Sequence, residues 1–276
     1  MKKFEGILIC TDLDGTLLLN DKSISRENLD AIEYFKSEGG AFTFITGRPP
    51  VIAKDICQKV ASNAPFGCLN GGGLYDRTAE KYLWYVETPR ACLELVEDVY
   101  QKLDHIGIQI NTLDNIWFSR ENLATDWFCK ATGVPALRKN HFDVDEPITK
   151  IVFCANRPED IEMLAELLHS HPRADEFGFI RSEKTLYEIL PKGINKGSVL
   201  PRLCEHLGID MRHSIAVGDY DNDVGMLKTA GIGIAVANAS AAAKAAADMM
   251  TVSNEEHAIA KIIYDIEKGI ISFDRG

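Results

Sequence analysis

Short apolar runs recur through the first third of the chain, each followed by a stretch whose apolar residues repeat at helical spacing. That alternation predicts βα units feeding a parallel sheet. Gly6–Thr11 reads as the first strand, and Leu29, Ile32 and Phe35 share one face of a helix over Ser25–Ser37 that stops at Gly39-Gly40. Ala41–Thr46 gives a second strand, Val51–Ala61 the next helix, and Gly67-Cys68-Leu69 a short third strand before a Gly71-Gly72-Gly73 turn.

From Thr88 to Tyr187 the texture changes. A helix near Pro89–Leu103 leads into strands at Ile106–Thr112, Asn115–Phe118, Lys150–Ala155, Phe177–Arg181 and Leu186–Leu190, with helices near Glu121–Ala131 and Pro158–His169. Turns as short as Thr112-Leu113-Asp114-Asn115 predict an antiparallel sheet here. After Pro191 the alternation returns, with a helix over Lys196–Leu207, a strand at Ser214–Val217, a helix at Asp221–Ala230 and a strand at Ile232–Val236. An alanine-rich surface helix is expected beyond Asn238. The expected architecture is α/β: a Rossmann-like parallel-sheet core formed by both chain ends, 1–86 and 190–276, with an inserted α+β domain at 87–189.

A length of 276 residues agrees with two domains, and 46% hydrophobic with 26% charged residues excludes disordered and fibrous classes. Thirty Lys and Arg against forty-one Asp and Glu give a net charge of −11, which speaks against nucleic acid as a partner. A small anionic substrate must then be attracted locally. The softest region, 231–247, is interrupted by Asn238, Ser240 and Lys244, so no membrane span is expected. Met1-Lys2-Lys3 has the charge of a signal-peptide start, but Glu5 and Asp12 bracket an apolar run of only Gly6–Cys10. Seven cysteines without a CxxC, several in strand-like contexts, are expected to be buried reduced thiols of a cytoplasmic protein.

Candidate chemistry gathers at the ends of predicted strands, where open α/β sheets bind ligands. In Thr11-Asp12-Leu13-Asp14-Gly15-Thr16, residues two apart in an extended segment point the same way, so Asp12 and Asp14 present two carboxylates together. An acidic turn marked by Asp-Gly is the plainer alternative. Gly218-Asp219-Tyr220-Asp221-Asn222-Asp223 adds further carboxylates and an amide at another strand end, unless it is only an acidic helix start. Converging carboxylates repel unless a hard cation such as magnesium sits among them. Thr46-Gly47-Arg48 and Lys196 offer the hydroxyl, amides and cation that phosphate oxygens need.

The ordered set Asp12-Leu13-Asp14-Gly15-Thr16, Thr46-Gly47-Arg48, Lys196 and Gly218-Asp219 with Asn222-Asp223 resembles the four motifs of the haloacid dehalogenase-like hydrolases. The insert, the Asn70-Gly71-Gly72 segment, the approach Glu188–Gly193 to Lys196, and Ala235–Ala239 are similar to the Cof-like branch, mostly phosphatases of sugar phosphates and related metabolites. The chain differs from that branch in reading Gly72-Gly73 after Asn70-Gly71 and Asn254–Ala258 near its end.

The resemblance implies a phosphatase in which Asp12 is the nucleophile forming an aspartyl-phosphate and Asp14 the general acid and base. It implies Mg2+ held by Asp12, the Asp14 carbonyl and Asp219, with Asp223 as a water-mediated ligand or supporting group. Leu13, Thr46, Gly47, Arg48, Asn70, Lys196 and Asn222 would grip the phosphate or substrate, and Arg48 would either reach substrate or brace the site. The acid role of Asp14 calls for a raised pKa. A small phosphorylated metabolite is the implied partner, and the inserted cap would close over the core and select the alcohol. A phosphotransferase or phosphomutase on the same core is the alternative enzyme, and a non-catalytic sugar-phosphate binder the alternative class.

Three other segments draw notice. His169-Ser170-His171 is expected simply to close a helix before Pro172. Trp84-Tyr85, Trp117-Phe118 and Trp127-Phe128 are expected in core packing. Arg138-Lys139-Asn140-His141 reads as a solvated loop, with a pocket in the insert as the alternative.

Overall fold

The computed structural model describes residues 2–60 and 62–273. Met1, the Ala61 expected to end the second helix, and 274–276 of the core segment lie outside the described residues. Two compact units emerge, Met1–Trp84 with Asn195–Gly276, and Tyr85–Ile194.

The chain opens with β1 (Leu8–Thr11), α1 (Arg26–Ser37), β2 (Ala41–Phe44), α2 (Pro50–Val60), β3 (Phe66–Cys68), β4 (Gly73–Asp76) and β5 (Lys81–Tyr85). Next come α3 (Cys92–Lys102), β6 (Gly107–Thr112), β7 (Ile116–Arg120), α4 (Leu123–Thr132), β8 (Leu137–Arg138), β9 (Ile148–Cys154), α5 (Asp160–Ser170), β10 (Phe177–Glu183) and β11 (Leu186–Pro191). The first unit resumes with α6 (Leu200–Leu207), β12 (Ser214–Gly218), α7 (Val224–Thr229), β13 (Ile232–Ala235), α8 (Ala241–Ala246), β14 (Met249–Met250) and α9 (Ala258–Glu267).

In the first unit a five-stranded parallel sheet runs β14-β13-β12-β1-β2. The residues of β1 are buried without alternation, as a strand covered on both faces requires. Ser25 caps α1 through its hydroxyl, and Asn28 on that helix accepts the Ala260 amide of α9 at 3.0 Å, joining the two helices. β3, β4 and β5 form a separate small sheet, with β3 and β4 antiparallel. The helices expected at Lys196 and Asp221 begin as 3-10 turns, Lys196–Val199 and Asp221–Asp223, before becoming α-helical.

The second unit is a six-stranded sheet, β10-β11-β9-β6-β7-β8, antiparallel except where β7 meets β8. Ile108, Ile110, Ile151, Phe153 and Ile189 occupy one face and form a core with residues of α3 and α5. α4 starts at a capping box, the Asn122 side chain accepting the Thr125 amide, and stops at Gly133 in the left-handed conformation.

Packing corrects two expectations. Trp127 is 69% exposed, because Thr125 is the buried residue of α4 and the helix turns Leu123 and Trp127 outward. Arg138 and Asn140 are exposed, as a solvated loop requires, and border a pocket with Lys139, but His141 departs from that expectation, buried by its bonds to Ser119 and Glu97. Of the other aromatics, Phe118 is buried, Trp84 packs at the core edge under Arg202, and Tyr85 is exposed. None of the seven cysteines forms a disulfide; six are buried and Cys129 is half-buried. His169 lies in the last turn of α5 and pairs with the Tyr187 hydroxyl at 2.9 Å. No helix among the described residues is long and apolar enough to cross a membrane.

Candidate active site

Because β2, β1 and β12 are adjacent and parallel, their carboxyl ends deliver Thr46, Asp12 and Asp219 to one edge of the sheet. The Asp12 amide extends the ladder by donating to Val217 O at 2.8 Å, and the buried Leu13 carbonyl then accepts the Leu17 and Leu18 amides, folding the loop back. Gly15 has φ +83°, and a Cβ there would stand 2.6 Å from Asp219 Oδ2, so glycine alone allows this approach.

Lys196 is the centre of the site. Its fully buried ammonium donates to Asp12 Oδ1 at 2.5 Å and to Asp223 Oδ1 at 2.6 Å. Burial alone would discharge the lysine, but the two aspartates outweigh it and hold its pKa above the ordinary value. Asp223 is fully committed, since its Oδ2 accepts the amides of Asp219 and Tyr220 at 2.9 and 3.0 Å. Asp219 Oδ1 accepts the Thr16 hydroxyl at 2.6 Å. Burial and the neighbouring Asp223 push Asp219 up to about 6, and burial with Asp223 and Asp219 raises Asp12 despite Lys196.

Asp14 stands in a second group. Its carboxylate takes Arg48 Nη2 at 2.7 Å and Lys22 Nζ at 2.8 Å. Burial pushes its pKa up, but the two cations outweigh burial and leave it below the usual range, opposite to the raised value expected of an acid. Arg48 therefore braces Asp14, and its own amide donates to Thr46 Oγ1 at 3.2 Å. A third group joins Asn70 and Asn222, the Asn222 amide donating to Asn70 Oδ1 at 3.2 Å, while the Asn70 amide returns to Thr46 O at 3.1 Å. Asn70 itself adopts φ +54°, and Gly71, at φ +90°, lets this loop touch Asn195, where a Cβ would collide with its carbonyl at 1.9 Å. Gly47 sits beside the Asn70 side chain.

Every anticipated residue thus falls into these linked groups. Thr16, Lys22, Asn238 and Ser240 complete them without having been singled out. Asn238 holds Gly15 O at 2.8 Å, and the Ser240 amide holds Asp219 O at 2.8 Å. Thr16 carries a legible signal, a hydroxyl at the end of the first acidic motif, whereas nothing local marks Lys22.

Asp12, Asp219 and Asp223 each place a carboxylate oxygen within 4.8 Å of the others. Among the described residues, Asp12 Oδ2 and Asp219 Oδ2 take no hydrogen bond, and both carboxyls are shifted upward, first by burial and then by the neighbouring aspartates. This buried donor set fits a hard, oxygen-seeking dication.

Residues 9–263 match the family described as haloacid dehalogenase-like hydrolase. A 5-amino-6-(5-phospho-D-ribitylamino)uracil phosphatase of Bacillus subtilis is 28% identical over 262 residues, covering 93% of this chain and 96% of that protein. An HMP-PP phosphatase of Yersinia pseudotuberculosis is 30% identical over 236 residues, 84% of each chain. A solved haloacid dehalogenase-like hydrolase from Bacteroides thetaiotaomicron superposes with a TM-score of 0.82 at 24% identity, over 95% of this chain and 99% of that one. At that identity the superposition speaks for the fold alone.

Proposed function

The chain belongs to the haloacid dehalogenase-like hydrolases, and on that premise we propose that it is a Mg2+-dependent phosphatase of small phosphomonoesters, with sugar phosphates or related phosphorylated metabolites as its substrates. The observation that carries the reading is the buried Lys196 bridging Asp12 and Asp223 beside Asp219. Members of the family generally use Mg2+, which when bound neutralises charge between an anionic nucleophile and an anionic phosphate.

Asp12 attacks phosphorus through its carboxylate oxygen, forming an aspartyl-phosphate as the P–O bond to the alcohol breaks. Asp14 delivers the proton to the departing alkoxide. It then takes a proton from the water that attacks the aspartyl-phosphate, releasing inorganic phosphate and restoring both carboxyls. For Asp14 to hold a proton, Arg48 and Lys22 must be drawn off it, and an arriving phosphate dianion competes for both. Thr46, the main-chain amides around Leu13 and Gly47, Lys196 and Asn222 orient the transferred oxygens, and Asn70 holds Asn222 in place. Asp12, Asp219 and the Asp14 carbonyl would hold the metal, while Asp223 keeps Asp219 and Lys196 aligned.

The insert at 87–189 would select the alcohol, and seven cysteines without a disulfide support a reducing, cytoplasmic setting. Phosphate release from a panel of sugar, cofactor and nucleotide phosphates, with and without Mg2+, tests the reading. Release that requires Mg2+ and vanishes in Asp12→Asn is expected. No release by a folded, Mg2+-loaded protein overturns hydrolysis, and recovery of the phosphoryl group on an added sugar assigns transfer instead.

A further inference from the structure

Arg120, at the end of β7, makes no ion pair among the described residues. Its Nη1 donates to Leu103 O at 2.8 Å, its Nη2 donates to Tyr100 O, and the guanidinium lies 4.2 Å from the Tyr100 ring centroid. Two carbonyls take two of its five N–H donors and the ring packs against it, without cancelling its charge.

Beside it opens a cavity of about 340 Å³, walled by Ser119, Arg120, Glu121, Arg138, Lys139 and Asn140. Three cations against one carboxylate line it, in a chain whose net charge is −11. Arg138 pairs with Glu121 at 2.5 Å and Lys139 with Asp145 at 2.9 Å, exposed pairs that a stronger anion can exchange.

Ser119 sets a second requirement. His141 is buried between Glu97, at 2.8 Å from Nε2, and the Ser119 hydroxyl, at 2.9 Å from Nδ1. Burial lowers the His141 pKa, so the neutral ring carries its proton on Nε2 toward Glu97 and accepts the Ser119 proton on Nδ1. The Ser119 oxygen is left as an acceptor. The Asn140 carbonyl oxygen is likewise taken by the Phe142 amide at 2.9 Å, leaving its NH2 group as a donor.

We propose that this cavity is a second ligand site, for a small hydroxyl-bearing oxyanion whose phosphate or carboxylate meets Arg120, Arg138 and Lys139 and whose hydroxyl donates to Ser119. All its walls belong to the Tyr85–Ile194 unit, and none comes from the aspartate cluster.

Backbone amide and arginine Nε NMR of the full chain, titrated with D-gluconate and separately with inorganic phosphate, tests this. Saturable shifts at residues 119–121 and 138–140 are expected, and the preferred probe identifies the anion. Affinity there should fall about tenfold or more in Arg120→Gln, the scale of a lost charge-assisted contact. Because Arg120 also ties down the end of α3, the exposed pair Arg138→Gln with Lys139→Gln serves as the independent test and should weaken the same shifts. Shifts confined to the surroundings of Asp12, Thr46 and Lys196, or undiminished affinity in both variants, would overturn the proposal.

Discussion

Lys196 holds two carboxylates out of water at once, which makes it both a structural and a chemical residue. Replacing it with Met leaves Asp12 and Asp223 buried without a counter-charge, a loss expected to cost about 3–5 kcal/mol. Chemical denaturation of Lys196→Met should show that loss, with phosphate release abolished. Asp219 gives a pH signature. Its carboxyl sits near 6 when no metal neutralises it, so below that pH a proton must leave before the cation binds. Mg2+ affinity should therefore rise with pH and be about tenfold weaker at pH 5 than at pH 7, a difference calorimetry resolves. The identities in this cluster were legible because motif residues at strand ends have fixed neighbours. What Asp14 experiences was not: its pKa is set by Arg48 and by Lys22, eight positions away in a loop no pattern describes.

Most elements could be read from apolar spacing, and their ends shifted by a few residues where caps take over. The Asp221–Ala230 helix shows the reason, since its first turn tightens to 3-10 as Asp223 reaches back to the Asp219 and Tyr220 amides. β4, β5 and α9 are not among the expected elements. The first follows directly on the glycine turn, and α9 carries Ile259, Ile262, Ile263 and Ile266 at helical spacing whose partner, α1, lies some 230 positions earlier. Caps are where single substitutions tell at this scale. Asn122 accepts the Thr125 amide and donates to the carbonyls of His105 and Cys154, so it fixes α4 to the sheet as well as starting it. Asn122→Ala should cost about 1–2 kcal/mol, measured by thermal or urea unfolding, with the catalytic rate retained.

At the scale of the whole molecule, each unit buries its own apolar core, and the first is assembled from two separated stretches of chain. In the sequence, the switch between βα alternation and short-turn strands accompanies that division. The sheet order was less legible, because nothing in β1 states that its partner is β12 rather than β3. The order also has a consequence for synthesis. β1 leaves the ribosome about 200 residues ahead of β12, an interval of about 10–40 s at ordinary elongation rates, while the continuous Tyr85–Ile194 segment can finish folding in between. Throughout that time β1 and β2 are a two-stranded fragment with one flank of backbone donors and acceptors unclaimed. Nascent chains halted before Ser214 should therefore be held by chaperones through Leu8–Thr11, and release should coincide with the emergence of β12 rather than with completion of the insert.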